Sequence, residues 1–203
     1  MFGILDYGVG NIRSIANMLD YLNIDNKFVS SLSDLVNVNK LILPGIGSFD
    51  YAMDKLNQLN LIPVIKNFVA SKENILIGIC LGMQLLGKSS KEGKLPGLGL
   101  IDFNVLSLKN VCKHNVPNMG WRNITPDTDV KSHILDESKF YFVHSYYVPL
   151  SSSKEKYQTI MKTSYEIDYS AGIQIGNIYG FQFHPEKSHK YGMKLFSYLN
   201  GLR

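Results

Sequence analysis

The stretch Ile75-Leu76-Ile77-Gly78-Ile79-Cys80-Leu81-Gly82-Met83-Gln84 decides the fold. Its first half is a short apolar run that predicts a buried strand, and residues 81–86 have helical spacing. The same change from strand to loop to helix occurs over residues 2–22 and again from residue 40, where Ser48 is the expected N-cap. Continuously apolar strands that alternate with helices indicate a parallel sheet covered on both faces. The sequence therefore predicts a doubly wound α/β fold with its site at the carboxyl ends of the strands.

The second half of the chain, from residue 98, has a different texture. Strand-like runs at residues 141–143, 157–161, 171–175 and 178–183 are joined by short polar turns, which predicts a β-rich half. A last helix is expected from about residue 188 to residue 199. No linker or repeat divides the sequence, so we expect residues 1–203 to form a single domain with a central, mostly parallel sheet.

Composition excludes several classes of protein. With 45% hydrophobic and 19% charged residues, the 203-residue chain is typical of a globular domain rather than of a disordered one. The net charge of +4 is spread along the chain without a basic stripe, so nucleic acid is not an expected partner. No apolar stretch is long enough to span a membrane. Cys80 and Cys112 lack paired spacing and no targeting run precedes them, which favours the reducing cytoplasm.

Four common cofactor and metal motifs are missing or incomplete. The segment Gly8-Val9-Gly10-Asn11-Ile12-Arg13 begins like a dinucleotide fingerprint, but Arg13 stands where the third glycine is needed. A tight turn whose exposed amides face a site or a partner is the favoured interpretation. A Walker A sequence, zinc-type spacing and an HExxH helix are all absent from the sequence. We therefore expect neither a cofactor nor a metal.

The segment Gly78-Ile79-Cys80-Leu81-Gly82 has the spacing of a nucleophile elbow. A side chain held on a sharp turn after a strand has strained backbone angles, and Cβ atoms at positions 78 and 82 would collide with the neighbouring strand and helix. Cys80 would lie at a helix N-terminus, which favours thiolate over thiol. The alternative is a buried, inert cysteine between two structural glycines.

A second segment, Phe181-Gln182-Phe183-His184-Pro185-Glu186, shifts the balance toward catalysis. In an extended chain residues i and i+2 lie on the same side, so Glu186 could hold the imidazole of His184 in the tautomer that accepts a proton from Cys80. A cysteine elbow and a His-x-Glu pair, each at the end of a predicted strand, indicate a Cys-His-Glu catalytic triad.

Six motifs together resemble a known family, the class I, triad-type glutamine amidotransferases. They are DYGVGN at residues 6–11, PGIGSF at 44–49, GICLGMQ at 78–84, MGW at 119–121, YFVHSYY at 141–147 and GFQFHPEKS at 180–188. The resemblance covers the whole chain. Within the family, the chain is similar to the glutaminase subunits of imidazole glycerol phosphate synthase.

The resemblance implies roles for individual residues in glutamine hydrolysis. Cys80 would attack the side-chain amide of L-glutamine to give a thioester and ammonia, His184 would relay protons, and Glu186 would orient His184. The residues implied to bind substrate or to stabilise the oxyanion are Gln84, Leu81, Gly45, Ile46, Gly47, Ser145 and Tyr146. Simpler alternatives are a surface amide for Gln84, a tight turn for the glycines, and ordinary sheet packing for the aromatic run at 146–147.

The resemblance also implies a partner, because a single glutaminase domain is expected to fill the chain and leave no acceptor site for ammonia. In the family this partner is a cyclase subunit with a TIM-barrel fold, which forms a heterodimer with the glutaminase in histidine biosynthesis. The positions that match partner-facing ones are Gly10, Asn11, Met119, Trp121 and Lys187. A core position is the alternative for a lone tryptophan.

One departure concerns that partner. The family commonly reads Pro-His-Met-Gly-Trp-Asn, whereas here Asn118 and Arg122 flank the partner-facing Met119 and Trp121. A related glutaminase that feeds ammonia to an enzyme amidating surface sugars is therefore an alternative. More distant alternatives are a cysteine peptidase, a γ-glutamyl hydrolase and a catalytically silent binding subunit.

Overall fold

The computed structural model describes residues 1–126, 138–151, 153 and 155–202. Its helices are α1 (Ile12–Tyr21), α2 (Phe49–Gln58), α3 (Leu61–Ala70), α4 (Leu81–Leu85) and α5 (His189–Gly201). Short 3-10 helices cover Leu32–Leu35, Leu108–Asn110 and Pro185–Lys187. The strands are β1 (Phe2–Leu5), β2 (Asn26–Val29), β3 (Lys40–Leu43), β4 (Ile75–Ile79), β5 (Ser89–Ser90), β6 (Asn104–Ser107), β7 (Asn118–Asn123), β8 (Thr125–Pro126), β9 (Lys139–His144), β10 (Tyr146–Tyr147), β11 (Gln158–Tyr165), β12 (Ile167–Ile175) and β13 (Ile178–Phe181).

The main sheet has the strand order β2-β1-β3-β4-β13-β12-β11-β8. In this spatial order, the four neighbouring pairs β2–β1, β1–β3, β3–β4 and β4–β13 are parallel. Beyond β13 the pairings are antiparallel. Two smaller sheets have the orders β10-β6-β5 and β7-β9. The predicted α/β class, the mostly parallel central sheet and the β-rich second half are confirmed.

Alternate residues of the parallel strands supply two apolar layers on opposite faces of the main sheet. On one face, Ile42 and Ile77 pack in a cluster with buried residues of α1 and α5. On the other face, Leu41 and Leu76 pack with buried residues of α2 and α3. Burial of these layers on both sides explains why the strands are apolar throughout, and it confirms the doubly wound architecture.

The carboxyl ends of the parallel strands are close together at one edge of the sheet. The Tyr7 hydroxyl, after β1, donates a hydrogen bond to the Pro44 carbonyl, after β3, at 2.6 Å. The backbone N–H of Cys80, after β4, donates to the carbonyl of Phe181 at the end of β13, at 2.7 Å. The loops that carry the sequence motifs therefore meet at the edge where the site was expected.

One predicted strand boundary is wrong. The strand predicted over residues 178–183 ends at Phe181, because the next residues leave the sheet and the His184 N–H donates to the Tyr141 carbonyl at 2.9 Å. Ser48 occupies the N-cap position of α2 as predicted, although its hydroxyl makes no capping hydrogen bond. The Glu92 carboxylate accepts the bond from the Phe49 N–H instead, at 3.0 Å.

In the described part of the chain, none of the helices combines the length and the apolar character needed to cross a membrane.

Candidate active site

Cys80 forms the junction between β4 and α4 and has a left-handed backbone, with φ +54°. A Cβ atom on Gly78 would lie 2.7 Å from the carbonyl oxygen of Gly82, and one on Gly82 would lie 1.9 Å from that of Leu43 in β3. Both distances are far below a van der Waals contact, so only glycine fits at either position. The predicted steric reason for the Gly-x-Cys-x-Gly spacing is therefore confirmed, and the strained turn presents Cys80 at the end of the strand.

His184 and Glu186 form a buried pair beside this turn. The Nδ1 atom of His184 donates to Oε1 of Glu186 at 2.7 Å, and the two side chains are 2% and 1% exposed. The contact between these two side chains was predicted, but the predicted backbone is wrong. Residues 184–186 were expected to be extended, whereas Pro185–Lys187 forms a 3-10 helix. Oε1 of Glu186 also accepts a bond from the Asn11 amide at 3.2 Å. The carboxylate thus fixes the tautomer of His184, leaving Nε2 for proton transfer.

The protonation state of His184 follows from its neighbours. Nε2 of His184 is buried and has no hydrogen-bond partner of normal geometry among the described residues. Burial works against the charged imidazolium, but the Cys80 thiolate and the Glu186 carboxylate outweigh it and raise the pKa of His184 to about 10. His184 is therefore favoured as the imidazolium at neutral pH, and a positive charge beside a cysteine promotes nucleophilic attack by its sulfur.

A cavity of about 280 Å³ opens over Cys80. It is lined by Ile46, Gly47, Cys80, Leu81, Gln84, Glu92, Pro117, Val143, His144, Ser145, Tyr146 and His184. The structure thus brings together most of the predicted substrate residues. Gly45 lies just behind them, where a Cβ atom would come within 2.6 Å of the Gly82 nitrogen.

Gln84 projects from α4 into the wall of the cavity and is 4% exposed, which excludes a surface amide. Its Nε2 donates to the Tyr146 carbonyl at 3.1 Å and to Oε1 of Gln182 at 3.0 Å. Both amide hydrogens are used in these bonds, so the orientation of the Gln84 amide is fixed and its oxygen remains as an acceptor.

Leu81 and Gly47, which line the cavity together with Cys80, are the candidates for supplying backbone N–H groups to an oxyanion. The N–H of Leu81 lies at the N-terminus of α4 and makes no hydrogen bond to any described residue. Gly47, in the loop after β3, has φ +89°. Free amides beside a nucleophile are the groups that stabilise an oxyanion.

Sequence reasoning missed Glu92, Pro117, Val143 and His144 in the cavity wall. Glu92 follows β5 and reaches the site because its carboxylate caps α2. Burial raises the pKa of the Glu92 carboxyl above its usual value, because its effect outweighs that of the hydrogen bond from the Phe49 N–H, which lowers the pKa. No motif surrounds this residue, so only the position of its loop in the fold could reveal it.

The residues predicted to face a partner fall into two groups. Met119 and Trp121, on one side of β7, are 58% and 42% exposed, which excludes a core position for the tryptophan. The Trp121 ring stacks on His189, with centroids 5.7 Å apart, and Nζ of Lys187 lies 5.9 Å from the ring centroid of Tyr141. Gly10 and Asn11 are only partly exposed and contact the site itself: Gly10 lies against Pro44, and Asn11 bonds Glu186.

Within the described ranges, His, Cys, Asp and Glu side chains form no group of three that could hold a metal ion.

The chain belongs to the class I glutamine amidotransferase family, whose model matches residues 3–197. The chain is 43% identical over 197 residues to imidazole glycerol phosphate synthase subunit HisH 2 of Methanococcus maripaludis, with 96% of each chain covered. It is 42% identical to the subunit of the same name from Pseudomonas aeruginosa, with 97% of this chain and 96% of the other covered.

A solved structure supports the fold independently. The crystal structure of a glutamine amidotransferase superimposes with a TM-score of 0.77 over 97% of this chain and 95% of the other, at 19% sequence identity. At that identity the match concerns the fold alone.

Proposed function

We propose that this chain is a glutaminase that hydrolyses L-glutamine to glutamate and ammonia and passes the ammonia to a separate synthase subunit. The observation that carries the proposal is the convergence of Cys80, on its strained elbow, with the buried His184–Glu186 pair in one cavity. The family membership of residues 3–197 supports the same chemistry. We take residues 1–203 as one glutaminase domain, acting in the cytoplasm, where a catalytic thiol stays reduced.

The reaction proceeds in two stages through a thioester. Sγ of Cys80 attacks the side-chain amide carbon of glutamine, and the new C–S bond places negative charge on the carbonyl oxygen. Nε2 of His184 gives its proton to the amide nitrogen, the C–N bond breaks, and ammonia leaves. Water then attacks the thioester while His184 accepts its proton, the C–S bond breaks, and glutamate is released with Cys80 restored as thiolate. Glu186 keeps His184 oriented through both stages.

The cavity wall supplies complementary groups for an amino acid. The amides of Leu81 and of the loop formed by Gly45, Ile46 and Gly47 would stabilise the oxyanion. The fixed oxygen of Gln84, with Ser145 and Tyr146, would position the substrate. Glu92 is the carboxylate among the described lining residues, and it would pair with the α-ammonium group of glutamine.

For the acceptor of ammonia, we propose the synthase subunit of imidazole glycerol phosphate synthase, in histidine biosynthesis. The support is the identity of 42–43% with subunits that carry this name. We further propose that this partner is a TIM-barrel cyclase, held as a heterodimer by the surface that includes Met119, Trp121 and Lys187, with Gly10 and Asn11 between this surface and the catalytic pair.

The decisive experiment measures glutamate release from glutamine by the wild-type chain and by Cys80→Ala, each alone and with a histidine-pathway cyclase and its ribulosyl substrate. We expect slow release by the wild type alone, faster release with the complete partner system, and none above background from Cys80→Ala. Equal activity of the variant would overturn the role of Cys80. If glutamate release depends on Cys80 but is not increased by the cyclase, the chain is a glutaminase of another pathway.

A second acceptor is favoured by one observation. Asn118 and Arg122, which depart from the usual family residues, bond each other directly on the strand that carries Met119 and Trp121. A changed pair at this place fits a changed partner, such as an amidotransferase acting on a surface sugar. The two candidates are separated by adding each partner enzyme to the purified chain. Stimulation by the sugar enzyme alone would exclude the histidine pathway.

A further inference from the structure

A buried polar network lies behind the wall of the glutamine cavity. Asn118 of β7 is fully buried and pairs in register with His144 of β9. Its Nδ2 donates to Nε2 of His144 at 3.2 Å and to the hydroxyl of Tyr169 at 2.9 Å. Its Oδ1 accepts a bond from Nε of Arg122 at 2.9 Å. Every polar atom of the Asn118 side chain is therefore used, and its orientation is fixed.

Arg122 is held from a second side, because its guanidinium lies 4.8 Å from the ring centroid of Tyr165. A cation above an aromatic face is attracted to the ring, and this restricts the arginine to one orientation. Arg122 thus presents Nε to Asn118 as a fixed donor.

His144 transmits this arrangement to the cavity. Nδ1 of His144 lies 2.8 Å from the Tyr146 carbonyl, which can only accept, so Nδ1 carries the proton. Nε2 is the acceptor for two donors, the Asn118 amide at 3.2 Å and the Tyr169 hydroxyl at 3.0 Å. Burial is the main cause that lowers the pKa of His144 to about 4, and the positive charges of His184 and Arg122 lower it further. The hydrogen bond to the Tyr146 carbonyl raises this pKa but does not outweigh the other effects. The ring is therefore neutral at physiological pH, in a single tautomer.

The Tyr146 carbonyl is a shared acceptor, because Nε2 of Gln84 also donates to it at 3.1 Å. Gln84 continues the network to Gln182, whose Nε2 lies 3.8 Å from Sγ of Cys80. Hydrogen bonds thus connect Arg122 on β7 with the residues that surround the nucleophile.

We propose that Asn118 and Arg122 are positioning residues for glutamine binding. Arg122 orients Asn118, and Asn118 holds the ring of His144 both directly and through the Tyr169 hydroxyl. His144 in turn fixes the carbonyl against which Gln84 is set. The inference rests on the proposed glutaminase function, since glutamine is the ligand that Gln84 and Tyr146 would contact. The direct bond between Arg122 and Asn118 makes the position of each side chain depend on the other.

The kinetic experiment compares Asn118→Leu with the wild-type chain in glutamate release. Leucine has a similar shape but removes both donors, so we expect the KM for glutamine to rise about tenfold, as for a lost buried hydrogen bond, with kcat within about twofold. Asn123→Leu is the matched control, since it makes the same change at an exposed position at the end of β7. Its KM should equal that of the wild type.

Arg122→Met tests the order of action and keeps the inference falsifiable if Asn118→Leu does not fold. Because Arg122 acts through Asn118, Arg122→Met should raise the KM about threefold, and the double variant should be no worse than Asn118→Leu. Unchanged KM values in both folded single variants, or effects that multiply in the double variant, would overturn the proposal.

A readout independent of turnover is the imidazole ¹⁵N spectrum. At pH 7 the wild type should show His144 neutral with the proton on Nδ1. Asn118→Leu should shift its Nε2 resonance because one of the two donors to Nε2 is lost and Tyr169 remains as the other. An unchanged Nε2 resonance in the variant would overturn the proposed contact. A wild type with the expected spectrum but no glutamate release would refute the proposed function and leave the network standing.

Discussion

At the scale of single residues, the proposed reaction depends most on the charge state of His184. His184 is buried, and it owes its pKa of about 10 to the adjacent Cys80 thiolate and to Glu186. In Cys80→Ala the thiolate is lost while burial remains, so the pKa of His184 should fall. Titration of the histidine ring by NMR should show imidazolium persisting to near pH 10 in the wild type and losing its proton at lower pH in the variant.

The matched control for this titration is Cys112→Ala, which removes the other thiol. Cys112 donates to the Tyr165 carbonyl at 3.1 Å and does not line the cavity. Its removal should leave the titration of His184 unchanged. Identical titrations in the wild type and Cys80→Ala would show that the thiolate does not set the charge on His184.

Tyr7 is a second residue whose role follows from its position. Its ring is 1% exposed, burial raises the pKa of its hydroxyl far above the usual value, and the hydroxyl donates to the Pro44 carbonyl at 2.6 Å. That bond fixes the first peptide of the loop that carries Gly45 to Gly47. Since loop amides would act on the oxyanion, Tyr7→Phe should lower the kcat for glutamate release about tenfold with little change in KM.

Tyr157→Phe provides the control for Tyr7→Phe. The Tyr157 hydroxyl makes the same kind of bond, to the Pro149 carbonyl at 2.9 Å, but outside the glutamine cavity. Its loss should leave kcat and KM unchanged. If Tyr7→Phe is as active as Tyr157→Phe, the bond to Pro44 has no part in catalysis.

At the scale of elements, the sequence predicts those structural features that depend on residues close together in the chain. The apolar run of β4 and the glycines around Cys80 act within a few residues, so the elbow could be predicted. The position of the α2 N-cap, Ser48, could be predicted as well. The hydrogen-bond acceptor at that helix end could not, because the carboxylate of Glu92 comes from 43 residues away. His144 was missed for the same reason: its partner Asn118 lies 26 residues earlier and meets it only through the pairing of β7 with β9.

The junction of β4 and α4 also predicts a stability effect. A Cβ atom on Gly82 would meet the Leu43 carbonyl of β3 at 1.9 Å, and neither backbone segment can move without disturbing the sheet. Gly82→Ala should therefore lower the free energy of unfolding by about 3 kcal/mol, at the upper end of overpacking effects. Urea denaturation measures the change. Gly201→Ala, where a Cβ would meet nothing within 4 Å, is the control and should not destabilise the chain.

At the scale of the whole molecule, the order of the sheet strands makes the site. β13 comes about a hundred residues after β4 along the chain, yet it pairs directly beside β4 in parallel. This pairing brings the residues after Phe181 next to Cys80, and it joins the parallel and antiparallel parts of the sheet. The sequence predicts both strands but contains no local signal for their adjacency, because the register depends on side chains from the entire core.

The proposed partner surface around Trp121 would act only in an assembly. Trp121 and Met119 are exposed on β7, next to the network that reaches Gln84, so a partner that covers them would contact the strand behind the cavity.

Large aromatic anchors dominate binding energies, and we expect Trp121→Ala to weaken cyclase binding about thirtyfold without changing glutamate release by the chain alone. Titration calorimetry and the stimulated rate measure both effects. Tyr21→Ala removes a more exposed aromatic ring at the C-terminal end of α1, and this variant should bind the cyclase normally. Normal cyclase binding by Trp121→Ala would place the partner on another surface.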